Sequence, residues 1–301
     1  MIKKVLVPLD GSPVAESILP YVELIARGAG AEITLLTSIQ AEHSWDDEHV
    51  TVDMDAATAE ASAYLESQCE RLQAGGLIAN VNINYGAEAD AIIGWAAEEA
   101  ADLIAMTTHG RTGLKRWILG SVAHKVLHGT SRPLLLVRAE EPGPRQAPQI
   151  DRILVPLDGS PLSLSILPYV EDLADALSAN LVVCNAVFPL DLSFAAEVGP
   201  APVGSAIDAM LDQGRSFTAA VAGEIEARGK VKAQSVVTVG FPVREIVQVS
   251  QDVNAGLIAL ATHGRSGFDR WVVGSVADGI VRRSGLPCLV VRPEEAAEEG
   301  Q

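Results

Sequence analysis

Short apolar runs alternate with segments in which apolar residues recur every three or four positions, a pattern that predicts strands alternating with helices. Strands are predicted over 5–8, 33–39, 103–106 and 134–137, where the runs are apolar or nearly so. The stretch 78–85 alternates apolar and polar residues, as a half-exposed edge strand does. A first helix is expected to open with Ser12 as N-cap and Pro13 in the first helical position, to kink at Pro20 and to end at 28–30. Residues 55–73 have the alanine-rich make-up of a long helix closed by Gly75 and Gly76, and 87–99 and 121–128 are also helical. Residues 40–54 show no period and are expected to form a loop.

At residue 153 the pattern starts again. LVPLDGSP over 6–13 is identical to 154–161, and SILPYVE over 17–23 is identical to 165–171. THGRTGLKRWILGS over 108–121 returns as THGRSGFDRWVVGS over 262–275, with nine of fourteen positions identical. The offset is 148 residues at the first strand and 154 at this loop, so six extra residues lie between the second and third strands of the second copy. The Pro- and Gly-bearing stretch 189–204 is the expected place for them. The expected organisation is domain 1 over 1–138, a Pro-, Glu- and Gln-rich linker over 139–150, domain 2 over 151–293 and an acidic tail over 294–301. Each domain reads β-α-β-α-β-α-β-α-β, so the fold class is α/β. A parallel sheet with right-handed crossovers and helices on both faces follows from the helix lengths between strands.

Composition narrows the partners. Lys plus Arg number 22 against 39 Asp plus Glu, a net charge of −17 that repels nucleic acid and anionic membrane alike. No apolar run is long enough for a membrane span, and MIKKVLVPLD lacks the features of a signal peptide. The three cysteines stand far apart, in no metal or redox spacing. A cytoplasmic protein is expected.

Candidate chemistry sits where strands end. In a doubly wound sheet, ligands bind beyond the carboxyl ends of the strands, where strand order reverses. Asp10 and Asp158 terminate the identical first strands. A carboxylate there accepts hydrogen bonds from ribose hydroxyls or holds an Asx turn, and the two roles coexist. Gly110 and Gly264 supply a tight turn after the fourth strand. Ten residues later Gly120-Ser121 and Gly274-Ser275 open the next helix, whose free N–H groups suit a phosphate. His109 and Arg111, with His263 and Arg265, flank the loop glycines, where they either neutralise phosphate or are exposed loop residues. His124 and His128 are spaced as a metal pair, but their counterparts are Asp278 and Arg282, so a solvated helix face is expected and no metal. Phosphate-loop, dinucleotide and nucleophile-elbow motifs are all missing, so the site is expected to hold a ligand without catalysis.

The run V-P-L-D-G-S after a first strand, and T-H-G-R-[ST]-G followed ten positions beyond its first glycine by G-S-V, resemble the universal stress protein family. The resemblance covers both halves and implies a tandem member. It implies two Rossmann-like domains of the adenine nucleotide alpha hydrolase-like kind, each with five parallel strands. Many members bind ATP through G-x-x-G-x9-G-[ST] and pair through the fifth strand. Carried over, the resemblance implies an ATP site, with Mg2+ or without it. Its residues are Pro8, Leu9, Asp10, Gly110, Arg111, Gly120, Ser121 and Val122 in the first domain. In the second they are Pro156, Leu157, Asp158, Gly264, Arg265, Gly274, Ser275 and Val276. The first family glycine is replaced by Thr107 and Ala261, where added bulk opposes close approach of a nucleotide and the Thr107 hydroxyl offers a partner for phosphate. The expected function is nucleotide-dependent regulation in a stress response, with an intramolecular pseudo-dimer of the two domains and a homodimer as assemblies. The alternative is a stress protein without nucleotide affinity that acts by protein–protein interaction.

Overall fold

The structure, a computed structural model, describes residues 1–40, 53–109, 119–138, 148–188, 203–262 and 274–292. The chain divides into two compact units, Met1–Pro148 and Gln149–Gln301. The expected tail and most of the expected linker lie outside the described residues. Of the linker's described end, Gln149 and Ile150 lie against Gly256, where an added Cβ would stand 2.5 Å from the Gln149 carbonyl oxygen.

In the first unit the strands are β1 (Lys4–Pro8), β2 (Glu32–Ile39), β3 (Ala79–Tyr85), β4 (Leu103–Thr107) and β5 (Leu134–Val137). Their order is β3-β2-β1-β4-β5, and each of these pairings is parallel. Every residue of β4 and β5 is buried, as continuous apolar runs in a covered parallel sheet require. β3 is half exposed at the end of this order, matching its alternating sequence.

The helices are α1 (Leu19–Ala29), α2 (Met54–Ala74), α3 (Glu88–Glu98) and α4 (Ser121–Gly129). From β1 through β2 to β3 the chain moves one way across the sheet, and from β3 to β4 and β5 it moves back. Right-handed crossovers then put α1 and α2 on one face and α3 and α4 on the other. Arg71 on α2 meets Glu23 on α1, and Ile93 on α3 lies against Gly129 on α4.

The second unit repeats the plan. Its strands are β6 (Arg152–Pro156), β7 (Asn180–Val187), β8 (Ala233–Val239), β9 (Leu257–Ala261) and β10 (Cys288–Val291). They pair in parallel in the order β8-β7-β6-β9-β10. Its helices are α5 (Pro161–Leu164), α6 (Leu167–Leu177), α7 (Val203–Ala227), α8 (Pro242–Asp252) and α9 (Ser275–Arg283).

Two expectations need correction. Ser12 and Pro13 do not open a helix that runs through a kink at Pro20. A 3-10 turn covers Ala15–Ile18, and α1 starts afresh at Leu19 with Pro20 in its first turn. Inside an α-helix Pro20 would lack an N–H donor and crowd the carbonyl four residues back. The 3-10 turn therefore gives way to a new α-helix just before it, with Ile18 and Leu19 still in the right-handed helical region. Ser12 still accepts a bond from the Ala15 amide at 3.1 Å. In the second unit Ser160 does cap a single helical turn, α5, accepting from the Ser163 amide at 3.1 Å.

The extra residues of the second copy are also not confined to 189–204. Helix α7 has 25 residues where α2 has 21, so most of the insertion lengthens a helix. A helix absorbs added residues with every backbone group still bonded, which a loop cannot offer.

Candidate functional site

Strand order in the first unit reverses between β1 and β4, and the residues beyond their ends enclose a cavity of about 340 Å3. That volume lies within the range of small-molecule pockets, roughly 300–1,000 Å3. From β1 come Pro8, Leu9 and Asp10. Leu9 is buried, and its amide donates to the Leu36 carbonyl at 2.8 Å, which holds the end of β1 against β2. Asp10 turns the chain: its Oδ1 accepts from the Ser12 amide at 2.9 Å and the Ser12 hydroxyl at 2.6 Å. The turn passes through Gly11 at φ 80°, a left-handed conformation that favours glycine.

The other wall comes from β4 and α4. Met106, Thr107, Thr108 and His109 line it, with Gly120, Ser121, Val122 and Ala123. Gly120 is the N-cap of α4 and has no side chain with which to cap it, and the first-turn residues Ser121, Val122 and Ala123 line the cavity. The Gly120 amide donates to the Thr108 carbonyl at 2.8 Å. A Cβ on Gly120 would stand 3.0 Å from that same oxygen, so any side chain here would crowd this contact. The helix start is thereby pinned to the end of β4, lining the same cavity as Asp10.

His109 presents its ring beside Gly120, and its Nδ1 lies 3.1 Å from the Thr108 hydroxyl. Burial and then the nearby Arg138 guanidinium push its imidazole below the ordinary histidine value, towards the neutral form. Thr107 is buried and spends its hydroxyl on the His109 carbonyl at 2.6 Å, so it is not extended towards a phosphate.

In the second unit β6 pairs with β9, which brings the end carrying Pro156, Leu157 and Asp158 beside the strand that leads towards α9. The Leu157 amide donates to the Cys184 carbonyl at 2.7 Å, as Leu9 does to Leu36. Asp158 Oδ1 accepts from the Ser160 amide at 2.9 Å. Burial works against its charged form, but hydrogen bonds from Ser160 and Ser163 prevail, and its carboxyl sits below the usual carboxylate value. Gly274 caps α9 with no side chain, and Ser275 and Val276 follow in the first turn.

Of the sequence-predicted residues, the first-unit cavity therefore brings together Pro8, Leu9, Asp10, Gly120, Ser121 and Val122. Gly110, Arg111, Gly264 and Arg265 lie outside the described residues, as does His263. The His124 and His128 rings lie 4.2 Å apart, yet among the described residues no group of three or more His, Cys, Asp or Glu could hold a metal. No helix among the described residues is long and apolar enough to cross a membrane.

Sequence reading missed the far end of the cavity, where Leu36, Thr37 and Ser38 of β2 meet Glu88 and Ile92 of α3. The rule that ligands bind beyond strand ends applies to β2 as well as β1 and β4, and that was the signal available.

Comparisons with known proteins place the family and the fold. A model of the universal stress protein family matches residues 1–138 and again 149–292. Universal stress protein Rv2005c of Mycobacterium tuberculosis is 28% identical over 196 residues, 64% of this chain and 62% of that protein. Universal stress protein Rv2623 of the same organism is 30% identical over 189 residues, 61% of this chain and 60% of that protein. The matched stretches thus span less than two thirds of each relative. A universal stress protein from Archaeoglobus fulgidus superposes with a TM-score of 0.69 at 21% identity, covering 96% of this chain and 98% of that one. One from Pseudomonas aeruginosa gives 0.68 at 19% identity, covering 97% and 94%. At such identities the likeness is one of fold.

Proposed function

This chain belongs to the universal stress protein family, and from that membership we propose that it is a cytoplasmic, ATP-holding regulator of a stress response. One observation carries the reading: a single cavity takes in both Asp10 and the glycine-capped first turn of α4. In the proposed arrangement the carboxylate of Asp10 accepts from ribose hydroxyls and the first-turn amides and Ser121 hydroxyl of α4 hold phosphate. Gly110 and Arg111 belong to the same phosphate loop, and Pro8 and Leu9 flank the nucleoside. Asp158, Gly264, Arg265, Gly274, Ser275 and Val276 serve alike in the second unit, beside Pro156 and Leu157.

The residues present fit the group. Glycine at 120 lets the start of α4 pack closely against the end of β4, and the cavity of about 340 Å3 is of small-molecule size. Mg2+ would arrive on the phosphate oxygens, since that ion keeps most of its shell as phosphate and water. The repeated sequence duplicates no acid–base pair around the site, so occupancy is proposed to act through conformation and partners. An interaction protein without nucleotide affinity is the competing reading, and Thr107, buried where the family carries glycine, is what favours it.

Calorimetry with ATP on the intact chain and on the Gly120→Val, Gly274→Val double variant tests the reading. Saturable binding to the parent chain that disappears in the variant supports it. Absence of binding to the parent chain, or unchanged affinity and stoichiometry in the variant, rejects it.

A further inference from the structure

The two units share a backbone at the far end of the site and differ in every side chain that matters there. Gly86, at φ 112°, donates its amide to the Ile39 carbonyl at 3.0 Å, and Gly240, at φ 145°, donates to the Val187 carbonyl at 3.0 Å. Each glycine ties the loop before the third main helix to the last residue of the second strand. Equivalent positions can therefore be read across directly. The residue after the second strand is Gln40 in one unit and Phe188 in the other. The N-cap of the following helix is Ala87 against Phe241, and its first residue is Glu88 against Pro242.

These substitutions make two different surfaces. In the first unit the Gln40 amide donates to Glu88 Oε2 at 2.6 Å, and Glu88 lines the cavity. In the second unit the Phe188 and Phe241 rings lie 4.9 Å apart and tilted by 45°, and Phe241 is 67% exposed. An aromatic this open, next to the glycine bonded to the end of β7, has ring surface left for another flat group. Phe188 and Pro242 carry no charge at the positions of Gln40 and Glu88, and the neighbouring Glu245 carboxylate, which lies against Gly240, accepts from the Thr238 hydroxyl at 2.9 Å.

Along the first-unit cavity, the start of α4 lies at one end, Asp10 lies on the central strand, and Ser38 with Glu88 lies at the other end. With phosphate at α4 and ribose at Asp10, the base falls beside Glu88. We propose that the two units read the base of a purine nucleotide by different chemistry: the Gln40–Glu88 pair by hydrogen bonds to an exocyclic amine, the Phe188–Phe241 pair by stacking. The proposal rests on the reading that both sites hold nucleotides.

A carboxylate accepts a bond from the amine of adenine and faces the carbonyl oxygen of hypoxanthine, where acceptor meets acceptor. Sites built on such a bond reject the analogue that lacks it. Stacking tolerates either base, because each offers the same flat face. The first unit thus selects adenine, and the second accepts both.

Calorimetric titrations of the intact chain with ATP and with inosine triphosphate test this, using the parent, Glu88→Ala and Phe241→Ala. Both side chains are exposed, and thermal melts verify that the variants are folded. ATP is expected to fill two sites, and the inosine nucleotide to bind tenfold or more weakly at one of them alone. Glu88→Ala should weaken ATP at that same site and bring its preference between the two nucleotides close to one. Phe241→Ala should weaken both nucleotides at the other site by about tenfold. Equal binding of the two nucleotides by the parent, an unchanged preference in Glu88→Ala, or no effect of Phe241→Ala overturns the proposal while leaving nucleotide binding intact. Failure of the parent to bind ATP overturns both.

Discussion

The Thr107 hydroxyl donates to the carbonyl oxygen of His109 at 2.6 Å, folding back onto the chain that leaves β4. At the same place in the second unit Ala261 ends β9 with one methyl group. Thr107 thus adds bulk at the proposed phosphate end where Ala261 adds one methyl, and the hydroxyl that could have compensated is already engaged. A β-branched side chain has few rotamers in which to yield. Overpacking costs about 1–3 kcal/mol, which corresponds to roughly tenfold or more in affinity. Thr107→Gly should therefore strengthen ATP binding in the first unit by more than Ala261→Gly does in the second. Titration of the two variants decides it, and an equal or reversed gain refutes the ordering.

Glu171 and Arg228 join α6 to α7 by two bonds, at 2.9 and 2.7 Å, and only 9% of Glu171 is exposed. The matching glutamate of the first unit, Glu23, meets Arg71 at 3.6 Å in a more open setting. Removing one partner of a buried pair leaves a charge without compensation, a cost of about 3–5 kcal/mol in full burial. The Arg228 side chain is 47% exposed, so solvent screening reduces this to about 1–3 kcal/mol. Arg228→Ala should lower the melting temperature of the chain clearly, and Arg71→Ala hardly at all. Comparable losses in the two variants would remove the distinction between the pairs.

Asp158 is held below the ordinary carboxylate value of 3.8. A carboxyl depressed in the folded state contributes stability that is present above its unfolded value and is lost as pH falls through the folded one. The group is exposed, so the contribution is small, about 0.5 kcal/mol or less. The stability difference between the parent and Asp158→Asn should therefore be largest near pH 7 and shrink at about pH 3. Denaturant unfolding at both values measures it, and a difference that grows towards acid contradicts the assignment.

Cys184 and Cys288 are buried in β7 and β10, where loss of solvation pushes each thiol up to about 12. Cys69, on α2, is also raised by burial. The thiolate is the reacting form, so native protein at about pH 8 should resist alkylation by iodoacetamide. All three should react once denaturant unfolds the chain. Mass spectrometry of alkylated native protein reports it, and rapid labelling of Cys184 or Cys288 would show that the strands open locally.

The residues that form each element were legible in the sequence because their signals are local. Apolar runs of four or five residues marked β4 and β5, and the glycines at 120 and 274 marked the helix starts that follow the strands. The duplicated Asp10 and Asp158 pointed to the strand ends where the cavity of the first unit lies, since ligands of such sheets bind beyond the carboxyl ends of strands. That β1 and β4 are neighbours was decided by the sheet itself. What tertiary structure decided lies between residues that no short window contains. Gln40 meets Glu88 across 48 positions only because β2 and β3 pair side by side, returning the chain to the start of α3. Phe188 and Phe241 meet for the same reason across β7 and β8. The break before Pro20 and the growth of α7 depended on how the chain balances competing local rules, where a cap, a proline and an insertion each had more than one solution. Periodicity selects elements one at a time, whereas the chemistry of the site comes from side chains that sheet order brings together.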